Sequence, residues 1–334
     1  MTKGNPLSGY GAGIRKETLL GWVAWYGISD PQVEYEPLKQ QFHDLGLDEE
    51  ALPAPLRPGD SFKRACRYAQ DSKIPIPGTD LYANILIRKV SMSSDLLVWH
   101  IVIETVDSEN EKLGYDEIAD LRFHKDQGTP DADGKPSGKL EIVRTKKSLS
   151  KGYKRLSDRA IARFKEEYDD AQKYIDSQTL RQTIRRQLDM MRAFLLRRNG
   201  SVYFVPTDQQ SKAEGLAELL DWIGNGSGFH ILPLIDTEKQ REMIQGAFED
   251  EVHESAQKML NDLQEALVQE KPITNGNWVE MLNRKEKLFE RAREYSDLID
   301  KEFKKAGTEL ALLEDSLQEI LKQGLIKPAR GKAA

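Results

Sequence analysis

The 334-residue chain holds a single cysteine, Cys66. A lone thiol excludes an intramolecular disulfide and any cysteine-built zinc site, and it suits a reducing compartment, so a cytoplasmic protein is expected. Long apolar runs are missing too. No stretch approaches the roughly 18 uncharged apolar residues that a membrane span needs, and the opening "MTKGNPLSGYGAGIRK" has no apolar core of signal-peptide length. No membrane association is expected. Positive charge is in deficit as well, with 49 Lys and Arg against 55 Asp and Glu and a net charge of -6. The molecule as a whole therefore lacks the basic footprint of a nonspecific nucleic-acid binder, and any such site has to be local.

What is present points to elongation. Charged residues make up 31% and apolar residues 39%, a ratio wet for one globular body but ordinary for a compact part joined to long exposed helices. Two or three structural units are expected at this length. Residues 1–78 read as an N-terminal arm and a helical region. There "KETLLGWVAWYGI" is a nearly continuous apolar run, "YEPLKQQFHDLGL" has helical spacing, and Asp60 and Ser61 offer a cap to a further helix. Residues 79–150, rich in β-branched and aromatic types broken by Ser, Asn, Gly and Pro, read as a four-stranded antiparallel β-meander. In residues 151–236 an arginine-rich helix runs to Arg198, "NGSVYFVP" and "GFHILPLI" are short strands, and the helix between them completes a small βαβ core.

Residues 237–325 carry the strongest pattern. From Trp278, alternate steps of four and three reach Leu282, Lys285, Phe289, Ala292, Ser296, Ile299, Phe303, Ala306, Leu310, Leu313, Leu317 and Ile320, all apolar from Ile299 onward. A sustained spacing of 3.5 is the mark of a coiled coil, because it keeps one seam facing a partner helix. The stripe Ile244, Phe248, Val252, Ala256, Met259, Leu263 and Ala266 belongs to the preceding helix, and the short link makes an antiparallel coiled-coil hairpin the expected arrangement. Two amphipathic helices on a larger core are the alternative. Residues 326–334 read as a disordered tail.

Motifs for catalysis fail on spacing. "SGYGAGIRKET" has Ile14 after Gly13 where a phosphate loop needs Gly-Lys-Ser/Thr, and no strand precedes it. "DADG" places Asp131, Asp133 and Gly134 as in a calcium loop, but Thr129 and Leu140 stand where the first acidic ligand and the closing Glu belong. Gln257 occupies the second-histidine position after His253 and Glu254, which excludes the HExxH zinc motif. The other histidines, His43, His100, His124 and His230, form no acid-x-x-His companion helix. Cys66, beside Lys63, Arg64 and Arg67, reads as a core residue with no histidine assigned as its base. The site reading is therefore no catalytic residue, no metal and no cofactor.

The clearest charge asymmetry lies between Thr179 and Arg198, where Arg181, Arg185, Arg186, Arg192, Arg197 and Arg198 stand against Asp189 alone. These six arginines are the candidate interaction surface. Arg181, Arg185 and Arg192 share an outer face at spacings of four and seven, while Leu180, Ile184, Leu188, Met191 and Leu195 form the inner stripe. Such a face holds phosphates or acidic side chains, and Glu166, Glu167, Asp169 and Asp170 nearby are candidate partners.

The segment "RRNGSVYFVP", followed after one helix by "FHILPLID", resembles a pattern found in an uncharacterised family of phage and bacterial proteins, over Arg197 to Asp236 directly and over the flanking helices by arrangement. The resemblance implies no established activity. In the residues themselves, Asn199 and Gly200 read as a left-handed helix cap and Pro206 as a strand end. The whole sequence thus reads as an α+β protein whose function is interaction or assembly without catalysis, and the resemblance implies a phage-derived one. It would present its C-terminal hairpin to a protein partner or a second copy. A nucleic-acid-binding accessory protein using the arginine helix is the alternative.

Overall fold

The structure, a computed structural model, describes residues 19–29, 31–129, 137–145, 151–197, 200–269 and 273–327. The fold is α+β, with helices packed on antiparallel sheets. It divides into two compact units that are each discontinuous in sequence: Met1–Ser29 with Gln41–Ala51 and Arg181–Ala334, and Asp30–Gln40 with Leu52–Leu180. The glycine-rich segment ahead of Thr18, Asp131, Asp133 and Gly134 of the calcium-like loop, Arg198, and the tail from Pro328 lie outside the described residues.

The second unit contains the β-meander. Strands β3 (Asp71–Pro75), β4 (Tyr82–Met92), β5 (Leu96–Val106), β6 (Lys112–His124) and β7 (Lys139–Arg144) follow one another in space as in sequence, every neighbour antiparallel. The expected sheet had four strands. The "KIPIPG" stretch adds the fifth at an edge, where a proline's missing donor costs no ladder bond. Helices α2 (Pro58–Tyr68) and α3 (Lys151–Lys173) supply the other layer of this core. Phe62 of α2 stacks on Phe123 of β6 at 5.3 Å and meets Phe164 of α3 edge-on at 6.1 Å. Cys66 is fully buried in that core, as expected, and burial pushes its thiol pKa far up, which removes it as a nucleophile at neutral pH.

In the first unit, "LLGWVAWYG" overturns its reading as part of a helical region: Leu19–Gly27 is a strand, β1. It lies inside a four-stranded sheet of order β11 (Gly228–Ile235), β1, β10 (Val202–Pro206), β9 (Phe194–Leu195). From Leu20 to Val23 this central strand is covered on both faces, so apolar side chains stand on both and the period-two alternation that would have marked it is lost. Gly21 shows how tight the fit is, because a Cβ there would lie 2.5 Å from the Val205 carbonyl oxygen. β1 also alters the expected βαβ unit. β10 and β11 flank helix α5 (Gln210–Ile223) in sequence, but each pairs antiparallel with β1, which stands between them.

The C-terminal pattern forms three helices, α6 (Glu238–Val268), α7 (Asn275–Ile299) and α8 (Lys304–Lys322). Thr237 and Thr274 cap α6 and α7, accepting from the amides of Gln240 and Asn277 at 3.3 Å. The single helix expected through Lys322 breaks because Asp300 takes a left-handed conformation (φ 51°). α7 runs antiparallel to α6, as expected of the hairpin, with Arg291 paired to Glu251 near its middle and Arg241 donating to the Ile299 carbonyl at its end. α8 then runs parallel to α6: Lys301 meets Glu238 at 2.6 Å, His253 meets Glu309 at 2.8 Å, and Ile273 pairs in parallel with Ile326 past the far ends. Every residue of the predicted α6 stripe is buried, as are Ile299, Phe303, Ala306, Leu310, Leu313, Leu317 and Ile320. In α7 the predicted Trp278 and Ile299 are buried, but between them the buried residues are Leu288, Arg291 and Tyr295, and Phe289 is turned outward, 42% exposed.

This packing predicts unequal costs for two leucines on one helix. Leu310→Ala should destabilise by about 2 to 5 kcal/mol, the range for a buried leucine, while the exposed Leu312→Ala should change stability by about 0.5 kcal/mol or less. Urea denaturation of both variants checks the pair, and equal midpoints would show that α8 packs on the other face.

Candidate functional site

The arginine-rich stretch is the natural place to look for a site, and the structure disperses it. Helix α4 (Ser177–Met190) ends eight residues before Arg198. Its cap is a Schellman motif: the Arg192 amide donates to the Asp189 carbonyl at 2.9 Å and the Ala193 amide to the Leu188 carbonyl at 2.9 Å, with Arg192 left-handed (φ 60°). The left-handed cap of this helix is thus Arg192; of the two expected cap residues, Asn199 lies outside the described residues and Gly200 comes after β9. Leu180, Ile184, Leu188 and Met191 are buried as predicted, but Leu195 belongs to β9.

The guanidinium groups consequently point to different tasks. Arg181 donates to the carbonyl of Ile28, just past β1. Arg185 faces the phenols of Tyr26 and Tyr203, which raise its pKa; burial, with Tyr26 beside it, pushes that of Tyr203 up to about 12. Arg186 is engaged as well. Arg192 pairs with Asp208 and, at 3.0 Å, with Glu294. Arg197 is exposed in the connection from β9 to β10. Glu167 and Asp170, expected to meet these arginines, instead line a cleft of about 430 Å³ in the second unit with Arg64 and Arg163. Arg64 donates there to the carbonyls of Asp170 and Tyr174, a cap for the C-terminus of α3.

The densest polar constellation surrounds the left-handed turn. From α7, Tyr295 donates its hydroxyl to the Arg192 carbonyl at 2.5 Å, and Arg291 donates to the Ala193 carbonyl at 3.2 Å. Arg291 also pairs with Glu251 of α6 at 3.0 Å and lies 5.8 Å from the centre of the Phe248 ring. Burial raises the Glu251 pKa against the opposing pull of Arg291 and the Leu195 amide, and burial raises that of Tyr295 too. Two clefts flank Glu251. One, about 340 Å³, is walled by Leu195, Leu196, Arg197, Ala247 and Glu254; the other, about 400 Å³, by Asp189, Glu280, Asn283, Arg284 and Lys287. Chemically this is a clamp. The Glu251 carboxylate is neutralised by the guanidinium it touches and holds two helices and a turn together.

A different surface escaped the sequence reading. Trp25 of β1 and His230 of β11 pair in register with ring centres 5.3 Å apart, and Val23 pairs with Leu232 on the same face. Trp25, His230 and Leu232 are exposed, Leu232 at 44%. β11 is the last strand of its sheet among the described residues. Nothing in "FHILPLI" separates the exposed His230 and Leu232 from the buried Phe229 and Leu234, so the sequence alone does not mark this face, although apolar side chains on the open face of an outer strand are unusual.

The turn yields a prediction in which glycine is the gentler replacement. Both Arg192→Ala and Arg192→Gly lose the pairs to Asp208 and Glu294, but only alanine retains the side chain that opposes a left-handed backbone. Arg192→Gly should therefore be the more stable by about 1 kcal/mol, read from urea midpoints. A more stable alanine variant would show that the turn relaxes out of the left-handed region.

No curated protein and no solved structure matches the chain. A family model does match, over residues 19–329, and its description is a family of unknown function, DUF6744. The match takes in β1, the meander, the arginine-bearing turn and all three C-terminal helices, and so reaches far beyond the segment from Arg197 to Asp236. The chain is a member of the DUF6744 family.

Proposed function

We propose that the protein works by binding another protein chain, as an interaction or assembly component without catalysis of its own. The observation that carries this reading is the exposed row of Trp25, His230 and Leu232 beside the open edge of β11. In register, this row continues the buried Phe204 and the partly buried Val23 outward, so an apolar strip leaves the core and reaches solvent. An extended segment of a partner can add to such an edge through main-chain hydrogen bonds while its side chains cover the strip. Pro233 within β11 restricts the free edge, which favours a specific partner over indiscriminate strand pairing.

The arginines weigh against nucleic acid as that partner. Phosphate binding needs several cations free to converge on one backbone, whereas Arg181, Arg185 and Arg192 are engaged inside the fold. The surface is accordingly assigned to the sheet edge, in place of the helical hairpin that the sequence suggested.

Replacing Trp25 and Leu232 together by Ser removes the strip while leaving the bundle core intact. The parent should self-associate in light scattering or retain a protein from native extract, and the double variant should lose that association with a shift in thermal midpoint of a few degrees at most. Association preserved in the double variant, or a tight, strongly salt-dependent complex with DNA or RNA in a gel shift, would contradict the reading.

A further inference from the structure

One cluster of ligand-type side chains lies outside all of this, on the meander of the second unit. His100 stands on β5, and Glu117 and Asp120 on its neighbour β6. Residues three apart on a regular strand point to opposite faces. Here the pairing shifts by one: Ile101 pairs with Ala119 but Val102 with Glu117, so Ile118 is the extra residue of a β-bulge. Ile118 and Ala119 are both buried in the core, and the bulge returns Glu117 and Asp120 to the face of His100. His100 Nδ1 lies 3.1 Å from Glu117 Oε2, and its Nε2 lies 3.2 Å from Asp120 Oδ1. The other oxygen of Asp120 accepts from Arg122 at 2.7 Å, which fixes the carboxylate.

Those distances pose a charge problem. A neutral imidazole carries one N–H, so it can donate to one carboxylate only, and its second nitrogen then turns a lone pair toward the other carboxylate. That contact is made favourable in one of two ways, by a second proton on the ring or by a cation bound at that nitrogen. One ring nitrogen and one oxygen from each carboxylate all lie within 4.8 Å of one another, and a zinc-like ion with bonds of about 2.0 to 2.2 Å can gather such a set once rotation of the half-exposed Glu117 side chain draws the ligand atoms closer together. We propose that His100, Glu117 and Asp120 form a binding site for a divalent transition-metal ion of the zinc class, with water completing its coordination. An imidazole with two carboxylates suits such an ion better than magnesium or calcium, which favour oxygen alone. The two central strands supply rigidity, and Arg122 orients Asp120 from outside the coordination shell.

Isothermal titration of the full chain with zinc chloride, with magnesium chloride in parallel, tests the site. One zinc ion per chain is expected, weakened at least about tenfold in both His100→Ala and Glu117→Gln and unchanged in His253→Ala, which removes a histidine paired to one carboxylate elsewhere. Circular dichroism checks that the variants fold. Should His100→Ala misfold, Glu117→Gln decides alone, because that side chain is 45% exposed and its loss is tolerable. Absence of zinc binding by the parent, or undiminished affinity in a folded site variant, overturns the proposal.

Discussion

The first unit depends on the grip that α7 takes on the turn at Arg192 and Ala193. A non-glycine residue held left-handed costs about 1 to 2 kcal/mol, so the turn persists only if its surroundings over-determine it. They do. Tyr295 and Arg291 occupy the two exposed carbonyls, and Glu294 and Asp208 hold the Arg192 side chain. A hydrogen bond from a charged donor contributes about 1.5 to 3 kcal/mol and one from a neutral donor about 0.5 to 1.5 kcal/mol, so the bonds from Arg291 and Tyr295 together exceed the backbone strain. Its consequence is directional: immediately after the turn the chain enters β9 with Phe194 facing Phe204, Phe248 and Tyr295. Sheet and bundle share that aromatic cluster.

Much of the fold was legible in the sequence where burial follows a simple period. The α6 stripe, the buried row of α8, the meander strands and the burial of Cys66 all read correctly, the helices because each buries one stripe and the strands because turn residues bound their β-branched and aromatic runs. Failures arose where neither cue was present. β1 is covered on both faces only from Leu20 to Val23, and a nine-residue apolar run without alternation does not distinguish a strand from a buried helix. The break at Asp300 was hidden for another reason. The apolar spacing runs unbroken from Ile299 to Phe303 to Ala306, and aspartate, one of the few non-glycine residues at ease in the left-handed region, interrupts the helix without the usual glycine or proline. In α7 the inner row carries Arg291, which no apolar template selects.

Function was less legible, for a related reason. The charge asymmetry around the arginines was real, but a sequence cannot show that a helix stops at Met190, and that stop sends Arg192 and Arg197 away from Arg181 and Arg185. The row of Trp25, His230 and Leu232 brings together residues some two hundred positions apart. Likewise, His100 meets Glu117 and Asp120 through strand register and a bulge, so no linear metal motif marks them.

Native-state hydrogen exchange, compared between the parent and Arg291→Met, tests the clamp most directly. If α7 couples the sheet to the bundle, the amides of Phe204 and Val205 in the parent will open with the same free energy as those around Leu288 and Tyr295. In the variant the sheet amides will exchange faster by at least about tenfold, a loss of about 1.4 kcal/mol, with the α6 and α8 amides less affected. Sheet protection unchanged in a folded Arg291→Met protein would contradict the account.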